Sequence, residues 1–289
     1  MYDIIMNNGR QAQLINGTDI AQSIRNDLKA KVAQLADKPG LAIILVGSDP
    51  ASYVYVGLKE QAAQEAGIHF EKDYYPATVS QDVVLKKIIE LNERKNIHGI
   101  LVQFPLPKGF DENKIVAAIK PVKDVDGFHS DNIRLLLAQK PRLIPSLALG
   151  IMRLITSTST ALPEKRAAIL AKSDVLAKPL KQLLQQEGVE AVLVRPGGPN
   201  YTKQVQQADV VVVAVGKPRF VKAEMIKDGA VVIDVGYNRI DNKAVGDVDF
   251  QSVSQKASWI TPVPGGVGPM TVAMLLSNVL SAYDIQKKP

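Results

Sequence analysis

Short apolar runs alternate with amphipathic stretches along most of the chain, the βαβ rhythm of parallel sheets flanked by helices. In the first half, 41–46 (LAIILV) and 97–102 (IHGILV) read as buried strands, and 52–66 and 82–94 read as helices. A further strand at 69–75 falls between those helices. In the second half, 166–170, 191–194, 209–215 and 230–235 read as strands joined by helical stretches. The fold class is therefore α/β with two domains, the second built on an open sheet of Rossmann type. The boundary is expected in the helical stretch between Asn132 and Thr156, because the Ser/Thr-rich tract 156–160 then leads into the second sheet. Residues 1–145 form the first domain, completed by a C-terminal helix at 270–289, and residues 146–269 form the second.

Composition narrows the class. The 289 residues are 46% hydrophobic and 22% charged, as in a soluble globular protein. The longest strongly apolar run, 210–215, is far too short to span a bilayer. Asp3, Asn7, Asn8 and Gly9 stand where a secretory signal needs a basic and then an apolar segment. With 0 Cys there is no disulfide, thiol nucleophile or zinc-thiolate site, so a cytoplasmic protein is expected. The net charge of +6 is scattered and interleaved with acids, and only 5% of residues are aromatic. A small anionic substrate or cofactor accounts for that excess at least as well as nucleic acid. His69, His98 and His129 are far apart and follow no metal-ligand spacing, so no metal is expected.

Ligands of open parallel sheets bind outside the carboxyl ends of the strands. After 41–46 comes a turn with Pro50, then a helix on which Tyr55 and Lys59, four apart, share a face. Gln103 ends the strand at 97–102, and Asp126 lies in the turn-like 123–127. Together they suit a planar, nitrogen-rich substrate: Tyr55 to stack, Asp126 to accept amino hydrogens, and Lys59 to move protons once desolvation lowers its pKa. A lone lysine on a helix is otherwise an ordinary solvated residue. Asp124, Asp126 and Asp131 lack calcium-loop spacing and read as loop acids facing solvent. The stretch 262–271, PVPGGVGPMT, sets three prolines and three glycines before an apolar helix. It is either a rigid connector or a loop that admits a ligand close to the backbone.

Read together and in order, GSDPASYVYVGLK, GILVQFPLP, KDVDGFH, AVGKP, VIDVGYNR, GDV and TPVPGGVGPMT resemble the bifunctional methylenetetrahydrofolate dehydrogenase/methenyltetrahydrofolate cyclohydrolase family over nearly the whole chain. The resemblance implies an N-terminal three-layer α/β domain and a Rossmann-type dinucleotide-binding domain with a cleft between them, a catalytic Lys59 tuned by Gln103, a Tyr55 ring stacked on folate, and an Asp126 carboxylate on the pterin. It implies that Pro264, Gly265 and Gly266 line the folate site. It further implies that Lys172, Ser173, Arg195, Gly216, Gly268 and Thr271 contact NADP, with no metal. The implied reactions are hydride transfer from 5,10-methylenetetrahydrofolate to NADP and hydrolysis of the resulting methenyl ring to 10-formyltetrahydrofolate, a step of one-carbon metabolism that feeds purine biosynthesis. Implied partners are tetrahydrofolate derivatives and a second copy in a homodimer, without nucleic acid or membrane.

The chain departs from the family pattern in its dinucleotide loop. Where the family has GxSxxVGxP, residues 171–179 read AKSDVLAKP, with Ala171 and Ala177 in place of glycines. A forced positive φ would cost about 1 to 2 kcal/mol and weaken binding roughly tenfold, and the methyl groups can obstruct a phosphate. The family's Pro-Cys/Ser-Thr-Pro-x-Gly appears at 145–150 as PSLALG, and Gln61 replaces a lysine common in the family. Lys172 and Arg195 read either as partners of a 2′-phosphate or as surface cations. The expectation is an intact cyclohydrolase with a weakened or lost dehydrogenase. The alternatives are the full bifunctional enzyme and a non-catalytic folate-binding protein.

Overall fold

The computed structural model of the chain describes residues 11–241 and 243–287. The absence of a leader was read from residues 3–9, which lie outside that range, as do the last two residues of the helix expected at 270–289.

The elements in chain order are β1 (Gln13–Leu14), α1 (Gly17–Ala33), β2 (Gly40–Val46), α2 (Pro50–Glu65), β3 (His69–Tyr75), α3 (Gln81–Glu93), β4 (Gly99–Gln103), α4 (Glu112–Ala118), α5 (Ser130–Leu137) and α6 (Ser146–Thr156). There follow β5 (Arg166–Ala171), α7 (Asp174–Gln186), β6 (Glu190–Val194), α8 (Tyr201–Gln206), β7 (Val210–Ala214), β8 (Val231–Asp234), β9 (Asn238–Ile240), β10 (Lys243–Val245), α9 (Phe250–Val253), β11 (Trp259–Ile260) and α10 (Val267–Lys287).

One compact unit comprises Asp19–Gly150 and the segment from Met270 onward. Its parallel sheet has the order β3-β2-β4, and a bridge between Ile100 and Asp124 adds the segment before Asp126 alongside β4. All seven residues of β2 are buried because both faces are covered. Leu41, Ile43 and Leu45 pack with Leu28, Val56 and Val279 on one side, and Ala42, Ile44 and Val46 with Val84, Ile88 and Ile115 on the other. Three layers result. Helix α10 closes the unit through polar contacts as well: Asn278 donates to the carbonyls of Val125 and Ile144 at 2.9 and 2.8 Å, and Gln286 donates to those of His98 and Val122. Those bonds fix the chain on both sides of Asp126.

The other unit comprises Ile151–Pro269 with the described residues up to Thr18. Its sheet is parallel throughout, in the order β1-β11-β8-β7-β5-β6, and a β9-β10 hairpin stands apart from it. Two features differ from the sequence expectation. The segment before Thr18 belongs to this unit instead of the first, because β1 pairs with β11, and a two-residue strand carries no readable periodicity. The division near 150 falls inside α6, within the stretch 132–156 where the boundary is expected though past the bound of 145. Helix α10 also begins at Val267, so it absorbs part of the glycine-proline stretch. Two of the histidines are buried and structural: the His98 ring accepts from the Gly40 amide at 3.0 Å and burial lowers its pKa to about 4, and His129 caps α5, while His69 is exposed and bonded to Glu71.

Asn278→Ala strips donors from two carbonyls, at least one of them in a buried bond, and should cost about 2 kcal/mol of stability in equilibrium urea unfolding. An unchanged midpoint would show that α10 does not brace the Val125–Ile144 region in this way.

Candidate active site

Helix α2 starts abruptly after β2 because Asp49 caps it, accepting from the amide and the hydroxyl of Ser52 at 2.8 Å each, with Pro50 at the first helical position. That start sets the phase of the helix. Lys59 then meets the end of β4, where its Nζ donates to Gln103 Oε1 at 2.8 Å. Gln103 Nε2 donates to the Phe104 carbonyl at 2.7 Å, which holds its oxygen toward the lysine. Lys59 is partly exposed along its stem, but its ammonium centre is enclosed by protein atoms. Lost hydration lowers its pKa, and the nearby Asp126 carboxylate pushes in the opposite direction. Tyr55 lies one turn earlier on α2 and is partly buried.

Asp126 accepts from Ser146 Oγ at 3.0 Å. The turn that carries it packs so closely on Pro145 that a Cβ at Gly127, whose φ is +86°, would stand 2.5 Å from the Pro145 nitrogen. Lys59, Gln103 and Asp126 thus come together, joined by Ser146, which sequence reasoning noted only as part of an altered motif. Asp124 is not a solvated loop acid. It is buried and accepts from the amides of Gly127 and His129 and from Asn132, and burial raises its pKa. Its signal was the apolar company of Val122 and Val125. Gln61 is exposed and donates to Glu65 at 2.9 Å. Among the described residues no three acidic or histidine side chains form a group able to hold a metal.

In the other unit, Lys172, Ser173, Arg195 and Gly216 follow strand ends at the carboxyl edge of the parallel sheet, and Pro264, Gly265, Gly266 and Gly268 lie in the glycine-proline stretch, while Thr271 belongs to the first unit. Lys172 and Ser173 follow β5, and Ser173 caps α7 by accepting from the Val175 amide at 3.1 Å. Arg195 follows β6, donates to the Ala171 carbonyl at 2.9 Å and pairs with Asp174. Gly216 follows β7 with φ +61°, and a Cβ built on it would meet only the Lys172 ammonium, at 3.9 Å. Lys172 and Gly216 are therefore neighbours, while Arg195 is engaged with the α7 start.

The alanines at 171 and 177 carry no backbone strain, contrary to the expectation from sequence. Ala171 ends a strand and Ala177 lies inside a helix, and neither has a positive φ. Both are buried, at 1% and 0% exposure, so their methyl groups fill packed space instead of lining an open loop surface. Gly265 has φ +104°, its carbonyl accepts from the Thr18 amide at 3.0 Å, and a Cβ on Gly266 would lie 2.7 Å from the Pro262 carbonyl oxygen. Pro264 precedes them, Gly268 has open space at its Cβ position, and Thr271 sits in the first turns of α10, beside Gly150.

Sequence reasoning also missed a buried carboxylate pair behind β7. Asp247 accepts from the consecutive amides of Val215, Gly216 and Lys217, and Asp234 accepts from those of Gly236, Asp247 and Val248. Burial raises the Asp234 pKa to about 7 against the pull of its three amide bonds, and Asp247 adds to the rise. An acid closing the apolar run VVID was the available signal.

Known proteins share this architecture. Residues 15–126 match the family profile of the tetrahydrofolate dehydrogenase/cyclohydrolase catalytic domain, and residues 145–287 match that of the NAD(P)-binding domain of the same family. The Bifunctional protein FolD of Dechloromonas aromatica (strain RCB) is 47% identical over 277 residues, covering 94% of this chain and 98% of that protein. Among solved structures, the bifunctional FolD methylenetetrahydrofolate dehydrogenase/cyclohydrolase of Campylobacter jejuni superposes with a TM-score of 0.92 at 37% identity, covering 95% and 99% of the two chains. The Trypanosoma brucei enzyme, complexed with NADP cofactor and inhibitor, gives 0.92 at 34% identity over 96% and 99%. With both domain profiles matched in order and the lysine, glutamine and aspartate converging at one strand edge, the chain belongs to the tetrahydrofolate dehydrogenase/cyclohydrolase family.

Proposed function

We propose that this chain is a bifunctional enzyme of one-carbon tetrahydrofolate metabolism. It hydrolyses methenyltetrahydrofolate to 10-formyltetrahydrofolate at Lys59, and it oxidises methylenetetrahydrofolate with NADP. The observation that carries the reading is the desolvated Lys59 ammonium, bonded to a neutral amide and within the field of Asp126. An amide oxygen accepts a hydrogen bond from either protonation state of the amine, so Gln103 orients Lys59 without locking its charge. Lys59 in its neutral form takes a proton from the attacking water, and Gln103 keeps Nζ pointed at it. Asp126, steadied by Ser146, receives the amino hydrogens of the pterin, and the Tyr55 ring lies along the folate.

The carboxyl edge of the second unit fits a dinucleotide. Gly216 has no side chain and opens toward Lys172, the α7 start lies at the end of β5, and Arg195 and Lys172 supply positive charge there. NADP, when bound, accepts the hydride released by the one-carbon unit. Lys172, Ser173, Arg195 and Gly216 hold the nucleotide, together with Gly268 and Thr271 by family resemblance, and Pro264, Gly265 and Gly266 border the folate. In this reading the unit built on Asp19–Gly150 carries the folate chemistry and the unit built on Ile151–Pro269 the nucleotide. A homodimer, a cytoplasmic setting and a supply role in purine biosynthesis belong to the same reading; no helix among the described residues is long and apolar enough to cross a membrane. The dehydrogenase half is included because the backbone strain argued against it is absent.

Lys59→Met should lower methenyltetrahydrofolate hydrolysis by roughly a hundredfold or more, and unchanged hydrolysis removes Lys59 from the mechanism. The base works in its neutral form, so the rate should climb with pH through a lysine pKa below its ordinary 10.5. Because Asp126 holds that pKa up, Asp126→Asn should move the Lys59 titration in the free protein to lower pH, followed by nuclear magnetic resonance of the labelled lysine. A shift upward would contradict the assignment. Ala177→Gly should cost about 1 kcal/mol of stability, the helix penalty of glycine, without tightening NADP in calorimetric titration. A tenfold gain in affinity there would restore the view that the methyl obstructs the nucleotide.

A further inference from the structure

The end of β7 is held from behind. Asp247 is fully buried, and its Oδ2 accepts from the amides of Val215 and Gly216 at 2.6 and 2.7 Å. Its Oδ1 accepts from the Lys217 amide and from Asn238 Nδ2, each at 2.9 Å. Three successive amides thus turn inward onto one carboxylate. Asp234 braces that carboxylate's own backbone: its Oδ1 accepts from the amides of Gly236 and Asp247, its Oδ2 from that of Val248, and its amide donates to Thr261 Oγ1 at 2.8 Å. Two glycines make room for the pair. A Cβ on Gly236 would stand 2.2 Å from Asp247 Cγ, and one on Gly246 would stand 1.8 Å from Asp234 Oδ2.

Amides spent on Asp247 are not offered outward. What the turn presents is the bare Cα of Gly216, in a left-handed conformation, beside the Lys172 ammonium. We propose that Asp247, braced by Asp234, is a positioning residue for the nucleotide: it sets where Gly216 and the neighbouring Lys172 stand at the carboxyl edge without touching the cofactor itself. The inference rests on the reading of that edge as the NADP site, and it assigns Gly216 a role of shape in place of hydrogen bonding.

Asp247→Asn keeps the volume but turns one acceptor oxygen into a donor, which cannot receive the amides that oxygen held. The test measures NADP-dependent oxidation and methenyltetrahydrofolate hydrolysis on the same preparations of parent and variant, with NADP binding by calorimetry. The expected result is a rise of roughly tenfold or more in the NADP KM and Kd, with hydrolysis unchanged within about twofold. A merely structural role would lower both activities together, and that outcome, or an unchanged NADP KM, overturns the proposal. Should Asp247→Asn fail to fold, Asn238→Ala removes only the side-chain donor to Oδ1 and should raise the NADP KM more modestly, again without touching hydrolysis; no change there rejects the positioning role. A parent protein that neither binds nor reduces NADP defeats the functional reading of the edge and this inference with it. A parent that turns over NADP beside an indifferent variant defeats only the positioning role.

Discussion

The hydrogen bond from Lys59 to Gln103 joins a helix face to the end of a buried strand, and it takes an ammonium out of water to do so. Burying such a charge beside a carboxylate alone would stabilise the cation and leave a poor base, while burying it with no partner would cost several kcal/mol or expel the proton altogether. The amide oxygen of Gln103 is a middle course. It satisfies one donor in either protonation state, and Asp126 supplies a limited countercharge instead of a direct ion pair. Each part of the first unit answers to that balance. Asp49 fixes where α2 begins, the burial of all of β2 and of β4 up to Val102 holds the strand that ends in Gln103, and α10 grips the chain around Val125 and Ile144.

The second unit handles charge differently. Among the described residues Asp234 and Asp247 bond to no cation; backbone amides and, for Asp247, the Asn238 side chain satisfy them, the arrangement by which a buried carboxylate is tolerated without a salt bridge. The two sites therefore use carboxylates for opposite ends. Asp126 faces a titrating base and belongs to the chemistry, whereas Asp234 and Asp247 convert charge into fixed backbone geometry behind a glycine. Both depend on the same property of parallel sheets, which gather the strand ends, and the turns that follow them, along one edge.

Much of this was legible in the chain. Runs such as LAIILV and VVVV are apolar throughout because helices cover both faces of their strands, and that uniformity survives as a pattern in one dimension. Strand β3 was read with its observed bounds, and most other ends differed by one to three residues. Lys59 and Tyr55 shared a face because four residues make about one helical turn. What could not be read depends on contacts far apart in sequence. The two-residue β1 exists only by pairing with β11, and Asp247 finds the Gly216 amide 31 residues away.

The alanines at 171 and 177 show how a motif can mislead when its physical reason is assumed. Glycine in a phosphate loop is commonly explained by positive φ, and from sequence its loss looks like strain. Here Ala171 continues a strand whose residues are all extended, and Ala177 occupies a buried helical position where alanine is favoured over glycine by about 1 kcal/mol. The residues that need glycine's freedom on this edge lie elsewhere, at Gly216 with its positive φ and at Gly236 and Gly246 with their crowding carboxylates. A glycine replaced by alanine is thus evidence of lost function only where the backbone demands left-handed geometry or where the missing Cβ leaves room for a partner. Neither condition holds at the described geometry of 171 and 177; the first is met at Gly216 in the turn that follows β7, and the second at Gly236 and Gly246 against the carboxylates that brace that turn.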